Sequence, residues 1–221
     1  MKRAGNTILS VIFTVAVMVL TITISIGLPI YVRPFYYAHV DALALDEEWG
    51  LDREYIIEAY DEVLDFLTLE GREFGTGILP HSEAGEGHFE DCKVLFDLNR
   101  NALIISLVVL AILLVLNKLE IIKLAKPRGY SLSFYAGIST LVLFATLALL
   151  VAPNFSLAFT IFHKIFFPGK ENWLFDPYTD PIILFMPQQF FMNCAILICT
   201  SILLISATLI VIGKIRKARE K

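Results

Sequence analysis

Residues 153–187 read PNFSLAFTIFHKIFFPGKENWLFDPYTDPIILFMP, a stretch too aromatic for a surface loop and too interrupted for a membrane span. Charged side chains break its apolar runs, and Pro168, Pro177 and Pro181 prevent one continuous helix. Trp and Tyr beside charges are typical of the zone where hydrocarbon meets water. The stretch therefore predicts an interfacial loop, which is either an anchor that only positions neighbouring helices or a functional site centred on His163.

The composition around this loop is that of an integral membrane protein. The chain has 221 residues, and 57% of them are hydrophobic, a larger share than in ordinary soluble domains. Its mean hydropathy is +0.69. Its three cysteines form no disulfide framework. Cys194 and Cys199 lie in an apolar run, Cys92 lies in a polar segment, and all three are interpreted as small packing residues.

Four apolar stretches without charged residues near their middle are predicted to span the membrane. Residues from Ile8 to Ile30 carry no charge and are long enough, at about 1.5 Å per residue, to cross a hydrocarbon core of roughly 30 Å. We predict an all-α polytopic membrane protein with four transmembrane helices and an extracytoplasmic cap. Its parts are an N-terminus with the first span (1–30), an acidic cap (31–98), a second span (99–116), a basic connector (117–130), a third span (131–152), the aromatic loop (153–187), a fourth span (188–212) and a basic tail (213–221).

The charges predict which side of the membrane each part faces. Placing both termini and the connector on one side gathers 11 of the 18 Lys and Arg residues there, with only Glu120 and Glu220 as acids. The positive-inside rule then makes the termini cytoplasmic and places the cap and the aromatic loop outside. No span has an ionisable residue near its middle, which disfavours a pump or a channel.

Within the cap, the pattern predicts one amphipathic helix and a following loop. Asp52 is a candidate N-cap for a helix that runs to Leu69 and is ended by Gly71. Its apolar face is predicted to comprise Tyr55, Tyr60, Val63, Leu64 and Leu67. The Gly-rich residues 71–87 are predicted to be a loop, after which the chain becomes helical again and enters the second span.

Three interpretations of His88 remain open from the residues alone. A metal site could use His81, Glu83, Glu86, Asp91 or Cys92 with it, but the segment HSEAGEGHFEDC matches no standard zinc or EF-hand spacing. His88 could be structural, satisfied by a backbone carbonyl or by Asp91. It could also be a general acid or base whose ring is oriented by Asp91, three residues further along the same helical face. No Ser or Cys stands in a recognisable nucleophile motif.

Three segments carry a resemblance to a known family: GHFEDCKVLF from Gly87, FHKIFF from Phe162, and NWLFDPYTDPIILFMPQQFF from Asn172. With them, the chain resembles the bacterial lipoprotein intramolecular transacylase (Lit) family over nearly its whole length. The resemblance implies that His88 and His163 are a catalytic pair and that no metal or cofactor is used. Phe89 and Cys92 depart from the family pattern, and Cys92 is an extra thiol without an assigned role.

The resemblance also implies a substrate, a lipoprotein whose N-terminal cysteine carries a diacylglyceryl group. The sn-2 acyl chain would move to the free α-amine, leaving the lyso form, in a bacterial cell membrane with lipids as the other partners and no nucleic acid. We expect His88 to be the base, oriented by Asp91, and His163 to be the donor. Further orienting or substrate-binding candidates are Phe162, Phe166, Trp173 and Asp176. The alternative is a non-enzymatic membrane sensor or assembly factor whose acidic cap binds a partner.

Overall fold

All regular secondary structure in the described part of the chain is helical. The computed structural model describes residues 2–151 and 153–219, with side chains described from residue 6 onward, and no strand occurs within these ranges. Nine α-helices follow one another there: α1 (Lys2–Tyr31), α2 (Pro34–Ala42), α3 (Leu45–Trp49), α4 (Arg53–Thr68), α5 (Glu83–Lys118), α6 (Leu132–Val151), α7 (Phe155–Phe166), α8 (Ile182–Phe185) and α9 (Gln188–Arg219).

Four of these helices are long and apolar enough to cross a membrane, which confirms the predicted all-α fold with four spans. The candidate segments are Asn6–Tyr31, Glu83–Lys118, Leu132–Val151 and Gln188–Arg219. Helix α5 has 36 residues and is therefore about 54 Å long, well beyond a hydrocarbon thickness of about 30 Å. Apart from Lys118 at its end, the charged residues of α5 lie in its first half, so only residues 101–117 suit the hydrocarbon.

The helix ends differ in places from the predicted boundaries. Helix α9 continues through residues 213–219, so the basic tail extends the fourth span as helix. Helix α5 starts at Glu83, so residues 83–87 of the predicted loop are helical. Ser82 explains this start, because its hydroxyl oxygen accepts a hydrogen bond from the Gly85 amide at 3.0 Å, as an N-cap does. Ala152, Glu220 and Lys221, which the prediction assigned to the third span and the tail, lie outside the described residues.

The chain forms two compact units. The first, here called the spanning unit, comprises residues 1–26, 99–150 and 197–221. Its core contains Phe13, Ala16 and Val17 of α1, with Leu110 and Leu113 of α5 and Leu132 and Ala136 of α6. The hydroxyl groups of α1 are satisfied within the helix, since those of Thr14, Thr21, Thr23 and Ser25 each donate to the carbonyl four residues earlier, all at 2.9 Å.

The second unit, here called the histidine unit, comprises residues 27–98 and 151–196. Tyr36 of α2 stacks on Tyr60 of α4, with ring centroids 3.6 Å apart, and its hydroxyl donates to the Phe185 carbonyl at 2.9 Å. Arg33 forms ion pairs with Asp61 and Asp65 of α4. These contacts join α2, α4 and α8 around one core, and the core gives the unit a fixed shape.

Helix α4 follows the predicted amphipathic pattern with two corrections. Tyr60, Val63, Leu64 and Leu67 are buried as expected, but Tyr55 is 42% exposed because it lies at the outer edge of the apolar face. Asp52 precedes the helix, yet its side chain makes no capping hydrogen bond.

The aromatic loop contains two helices. Helix α7 is capped by Asn154, whose side-chain oxygen accepts a hydrogen bond from the Leu157 amide at 2.9 Å. It ends before Pro168 and Gly169, and Gly169 adopts a φ of +75° that favours glycine. The loop therefore carries His163 on a short helix of its own.

Candidate active site

His163 lies on the buried side of α7 with one ring nitrogen held by the backbone. Only 7% of the residue is exposed. Its Nδ1 lies 2.8 Å from the carbonyl oxygen of Phe159, one helical turn earlier. A carbonyl oxygen only accepts hydrogen bonds, so Nδ1 carries the proton and Nε2 of the neutral ring has the lone pair. Among the described residues, Nε2 has no hydrogen-bond partner.

His88 lies near the start of α5 and is 6% exposed. Its Nε2 lies 3.4 Å from the sulfur of Cys92, one turn further along the helix. Burial raises the pKa of the Cys92 thiol to about 12, so the sulfur keeps its proton. The buried Nδ1 of His88 has no partner among the residues that the structure describes. A buried polar atom without a partner costs free energy, which marks Nδ1 as a contact point for a bound molecule.

The two histidine rings face each other within an aromatic shell. Their centroids are 5.7 Å apart and their planes are inclined by 30°. Trp173 stacks on His163 at 4.6 Å, while Phe167 and Phe175 contact His88 edge-on at 5.0 and 5.5 Å. The shell leaves both rings in apolar surroundings, where electrostatic interactions are stronger than in water.

This shell keeps both rings neutral. Burial, together with the neighbouring His163 and Lys170, lowers the pKa of His88 to about 4, and Asp91 offsets only part of this. Burial also lowers the pKa of His163, although the hydrogen bond to the Phe159 carbonyl opposes the shift. Two neutral imidazoles at neutral pH provide both a proton acceptor and an N–H donor.

Asp91 does not orient the His88 ring through a hydrogen bond, which corrects the expectation from the sequence. Its carboxylate instead accepts hydrogen bonds from the Lys170 ammonium and, at 3.2 Å, from the Asn172 amide. Burial alone would raise the pKa of Asp91, but these hydrogen bonds outweigh it and the pKa is lowered. The ionised Asp91 therefore ties the turn after α7 to α5, and its negative charge still acts on His88 across space.

Asp180 makes a second connection between the aromatic loop and α5. It is buried, and its two oxygens accept hydrogen bonds from the backbone amide and the hydroxyl of Ser82, each at 2.8 Å. A Cβ atom at Gly85 would overlap the Asp180 carboxylate, so the close approach requires glycine there. Together with Asp91, this connection fixes the loop that carries Trp173 and Phe175 over the start of α5.

The structure brings some of the predicted site residues together and leaves others apart. Trp173 contacts His163 directly, and Phe162 lies edge-on to it at 5.5 Å. Phe166 contacts Phe162 rather than either histidine, and Asp176 is exposed and accepts a hydrogen bond from the Tyr178 amide. Sequence reasoning did not single out Phe167, Lys170, Asn172, Phe175 and Asp180 as site residues, although all five lie in the quoted stretch.

Of the other two histidines, His39 has a hydrogen-bond partner at each ring nitrogen, and His81 is exposed. Nδ1 of His39 lies 2.6 Å from the Phe35 carbonyl, and its Nε2 accepts from the Asn193 amide at 2.9 Å. His81 lies 3.4 Å from the Thr76 hydroxyl and 3.9 Å from Glu86. No group of three or more His, Cys, Asp and Glu residues in ranges 2–151 and 153–219 is placed to hold a metal ion. Only His88 and His163 combine burial with an unused ring nitrogen.

Comparison with known proteins identifies relatives of this fold. A protein from Bacillus cereus, the membrane integral lipoprotein intramolecular transacylase Lit, matches with a TM-score of 0.87 at 22% identity over 99% of each chain. Two further structures of that protein, in which a histidine is replaced by arginine or by alanine, match with TM-scores of 0.80 at 22% identity. The match to the arginine variant covers 98% of this chain and 94% of that one, and the match to the alanine variant covers 99% and 97%. The curated proteins provided no match.

Four apolar helices, together with a buried pair of histidines in an aromatic shell, define an integral membrane protein with a candidate active site. The sequence profile of the lipoprotein intramolecular transacylase Lit matches residues 11–191, which is most of the chain. The chain belongs to this family, as the resemblance in its sequence indicated. Membership makes it an acyltransferase.

Proposed function

We propose that this protein moves the sn-2 acyl chain of a diacylglyceryl-modified lipoprotein onto the α-amine of its N-terminal cysteine. The observation that carries the proposal is the facing pair of neutral, buried histidines with one free nitrogen each. Acyl transfer from an ester to an amine needs one group that accepts a proton and one that stabilises an oxyanion. Family membership supplies the substrate class.

The hydrogen bonds favour His163 as the base, which reverses the division expected from the sequence. Its Nδ1–H donates to the Phe159 carbonyl, so Nε2 accepts the proton of the attacking amine. The Cys92 thiol, which remains protonated, donates weakly to Nε2 of His88 and thereby leaves Nδ1–H of that ring as a donor. This donor stabilises the negative oxygen of the tetrahedral intermediate.

His163 takes up one proton during the reaction and returns it, so the histidine pair needs no external acid or base. The neutral amine nitrogen forms a bond to the ester carbonyl carbon while His163 takes its proton. The intermediate then collapses, the bond from carbon to the glyceryl oxygen breaks, and the imidazolium of His163 returns the proton to that oxygen. The net change is one new amide, one new hydroxyl and no consumed co-reactant.

The aromatic shell supports two further requirements of this reaction. Donor and acceptor belong to one molecule, and holding them in near-attack geometry contributes roughly 7–11 kcal/mol. Trp173, Phe167 and Phe175 surround the histidines with apolar rings that disfavour water, which suppresses hydrolysis of the ester.

We further propose that the histidine unit faces outward and that both termini are cytoplasmic. The support is the charge distribution, because 11 of 18 basic residues gather at the termini and the connector. Reporter fusions at the C-terminus and within residues 72–81 should report opposite sides of the membrane. Fusions on the same side would overturn this orientation.

Tandem mass spectrometry of a reporter lipoprotein tests the proposed reaction. Because the transfer is intramolecular, the total mass of the lipidated N-terminal peptide stays constant while one acyl chain moves to the amine. Fragmentation should therefore show an N-acyl, S-monoacylglyceryl cysteine when the wild-type chain is co-expressed. A diacylglyceryl cysteine with a free amine in every sample would reject the proposal.

A further inference from the structure

The spanning unit has an excess of positive charge that it cannot neutralise itself. Its residues include twelve Lys and Arg but only two acids, Glu120 and Glu220. Most of the counter-charge must therefore come from outside the unit. The positive-inside rule accounts for the number of basic residues near the membrane, but it does not account for how they are arranged in space.

Three of these basic residues line one cavity. It measures about 90 Å³ and is bordered by Lys126, Gly129, Ser131, Gly213, Arg216 and Lys217. One water needs about 10–15 Å³ by this measure, so the cavity has room for about six water-sized atoms. A phosphate group has five heavy atoms and fits that space. Arg and Lys are the side chains that bind phosphate oxygens best, and Ser131 adds a hydroxyl donor.

Close helix packing holds the two walls of this cavity together. A Cβ atom at Gly137 of α6 would lie 2.8 Å from the Ser206 carbonyl oxygen of α9. A Cβ atom at Gly213 of α9 would lie 2.7 Å from Cβ of Phe134. Both glycines therefore permit a backbone approach that any larger residue would prevent. The basic end of α9 is thus held against the start of α6.

Aromatic and hydrogen-bond contacts hold the lining residues in place. The Lys217 ammonium lies 3.8 Å from the ring centroid of Tyr130, which itself stacks on Phe134 at 4.1 Å. The Tyr135 hydroxyl donates to the Pro127 carbonyl at 2.8 Å, which fixes the turn that contains Gly129. These contacts order the Lys217 side chain and the turn that contains Gly129, which form two parts of the cavity lining.

We infer that this cavity binds the phosphate group of an anionic phospholipid. The recognised group is a phosphate ester. A lipid is favoured over a soluble compound because the cavity lies between the start of α6 and the end of α9, two helices apolar and long enough to cross a membrane. Basic pockets between transmembrane helices are suited to such headgroups. The inference concerns the spanning unit alone and does not depend on the proposed transacylation.

Lipid binding by the purified full-length protein tests this inference. Native mass spectrometry would measure binding of phosphatidylglycerol, with phosphatidylcholine as the zwitterionic comparison and inorganic phosphate as a competitor. The site variant is Arg216→Gln with Lys217→Gln, and the matched control is Lys123→Gln with Lys214→Gln, which removes the same charge outside the cavity. Each single variant and Arg216→Lys are measured as well, in case the double variant does not fold.

The site variant should bind phosphatidylglycerol at least about tenfold more weakly, because it removes two charged donors that would contact the phosphate oxygens directly. The control pair should bind within about threefold of wild type, since it does not line the cavity. Arg216→Lys should retain most of the binding. Equal losses in site and control variants would show a diffuse charge effect and overturn the inference. If inorganic phosphate bound tightly and the anionic lipid were not preferred, the bound phosphate group would not come from a lipid, and the inference would be overturned.

Discussion

Nδ1 of His163 lies 2.8 Å from the carbonyl oxygen of Phe159, and this hydrogen bond fixes which nitrogen of the ring is available for chemistry. Nε2 carries the lone pair in an apolar shell, and the ring centroid of His163 lies 5.7 Å from that of the facing His88 ring. The proposed division of roles follows from this contact and from the thiol beside His88, since both constrain the tautomer of a neutral imidazole.

His163→Ala and His88→Ala should each reduce turnover strongly while leaving the fold intact. A positioned general base contributes about 10²–10⁴-fold, and loss of an oxyanion donor costs about 10²–10³-fold. Because both act on one bond-making event, the double variant should be hardly slower than either single one. Single-turnover rates on a synthetic lipopeptide measure this, with His81→Ala as a control on an exposed histidine of the same unit. Wild-type-like turnover in either single variant would exclude the two-histidine mechanism.

Asp91→Asn should slow turnover less than His88→Ala. The substitution weakens the contact with Lys170, a partly exposed ion pair worth about 0.2–1 kcal/mol, so a loss of up to about fivefold is expected. Glu90→Gln, which removes an exposed charge from the neighbouring position, should leave the rate unchanged. A loss equal to that of His88→Ala would mean that Asp91 takes part in the chemistry itself.

Cys92→Ala should still make product. The thiol is a weak hydrogen-bond donor to His88 and is not a nucleophile in this scheme, so the loss should be at most about tenfold. Cys92→Ser, which restores a donor, should be faster than Cys92→Ala if the contact orients the ring. Nitrogen-15 shifts of the His88 ring provide an independent readout of its tautomer. Complete loss of activity in a folded Cys92→Ala protein would instead support a thiol-dependent reaction.

Protein stability should decline in mildly acidic solution because His88 is held neutral. The unfolded chain binds a proton at this residue near pH 6.5, whereas the folded chain does so only at about 4. The stabilisation from His88 is therefore complete above about pH 6.5 and is lost as the pH falls towards about 4. His88→Gln should flatten the dependence of unfolding free energy on pH across this window, and His81→Gln should not. Denaturant unfolding at several pH values checks this, and equal slopes in wild type and His88→Gln would contradict it.

The four spans could be predicted from the sequence because they depend on compositional signals, and the two histidines could be proposed as candidates from local ones. Charge-free stretches of about 20 residues mark transmembrane helices without any tertiary information. His88 and His163 were found through residues adjacent to them in the family-like segments. Their separation in space depends on how the aromatic loop folds against α5, and no local pattern encodes that.

The expected partner of His88 was wrong for a physical reason. Helical periodicity placed Asp91 at i+3 on the same face as His88, and this charged residue was expected to orient the ring. The structure pairs Asp91 with Lys170, 79 positions away, because the opposite charge of Lys170 and the Asn172 amide together satisfy that carboxylate. Cys92 is left to contact the ring. Asp180 was overlooked because its partner Ser82 lies 98 positions away.

In the proposed mechanism, the histidine pair transfers an acyl chain within one substrate molecule. A crossover measurement tests it with purified protein and two lipopeptides, one carrying light peptide and light acyl chains and the other carrying heavy peptide and deuterated acyl chains. Tandem mass spectrometry should find only light-on-light and heavy-on-heavy N-acylated products with the wild-type protein, and negligible product with His163→Ala. N-acylated products of mixed label, or no N-acylation by the folded wild-type protein, would contradict the account.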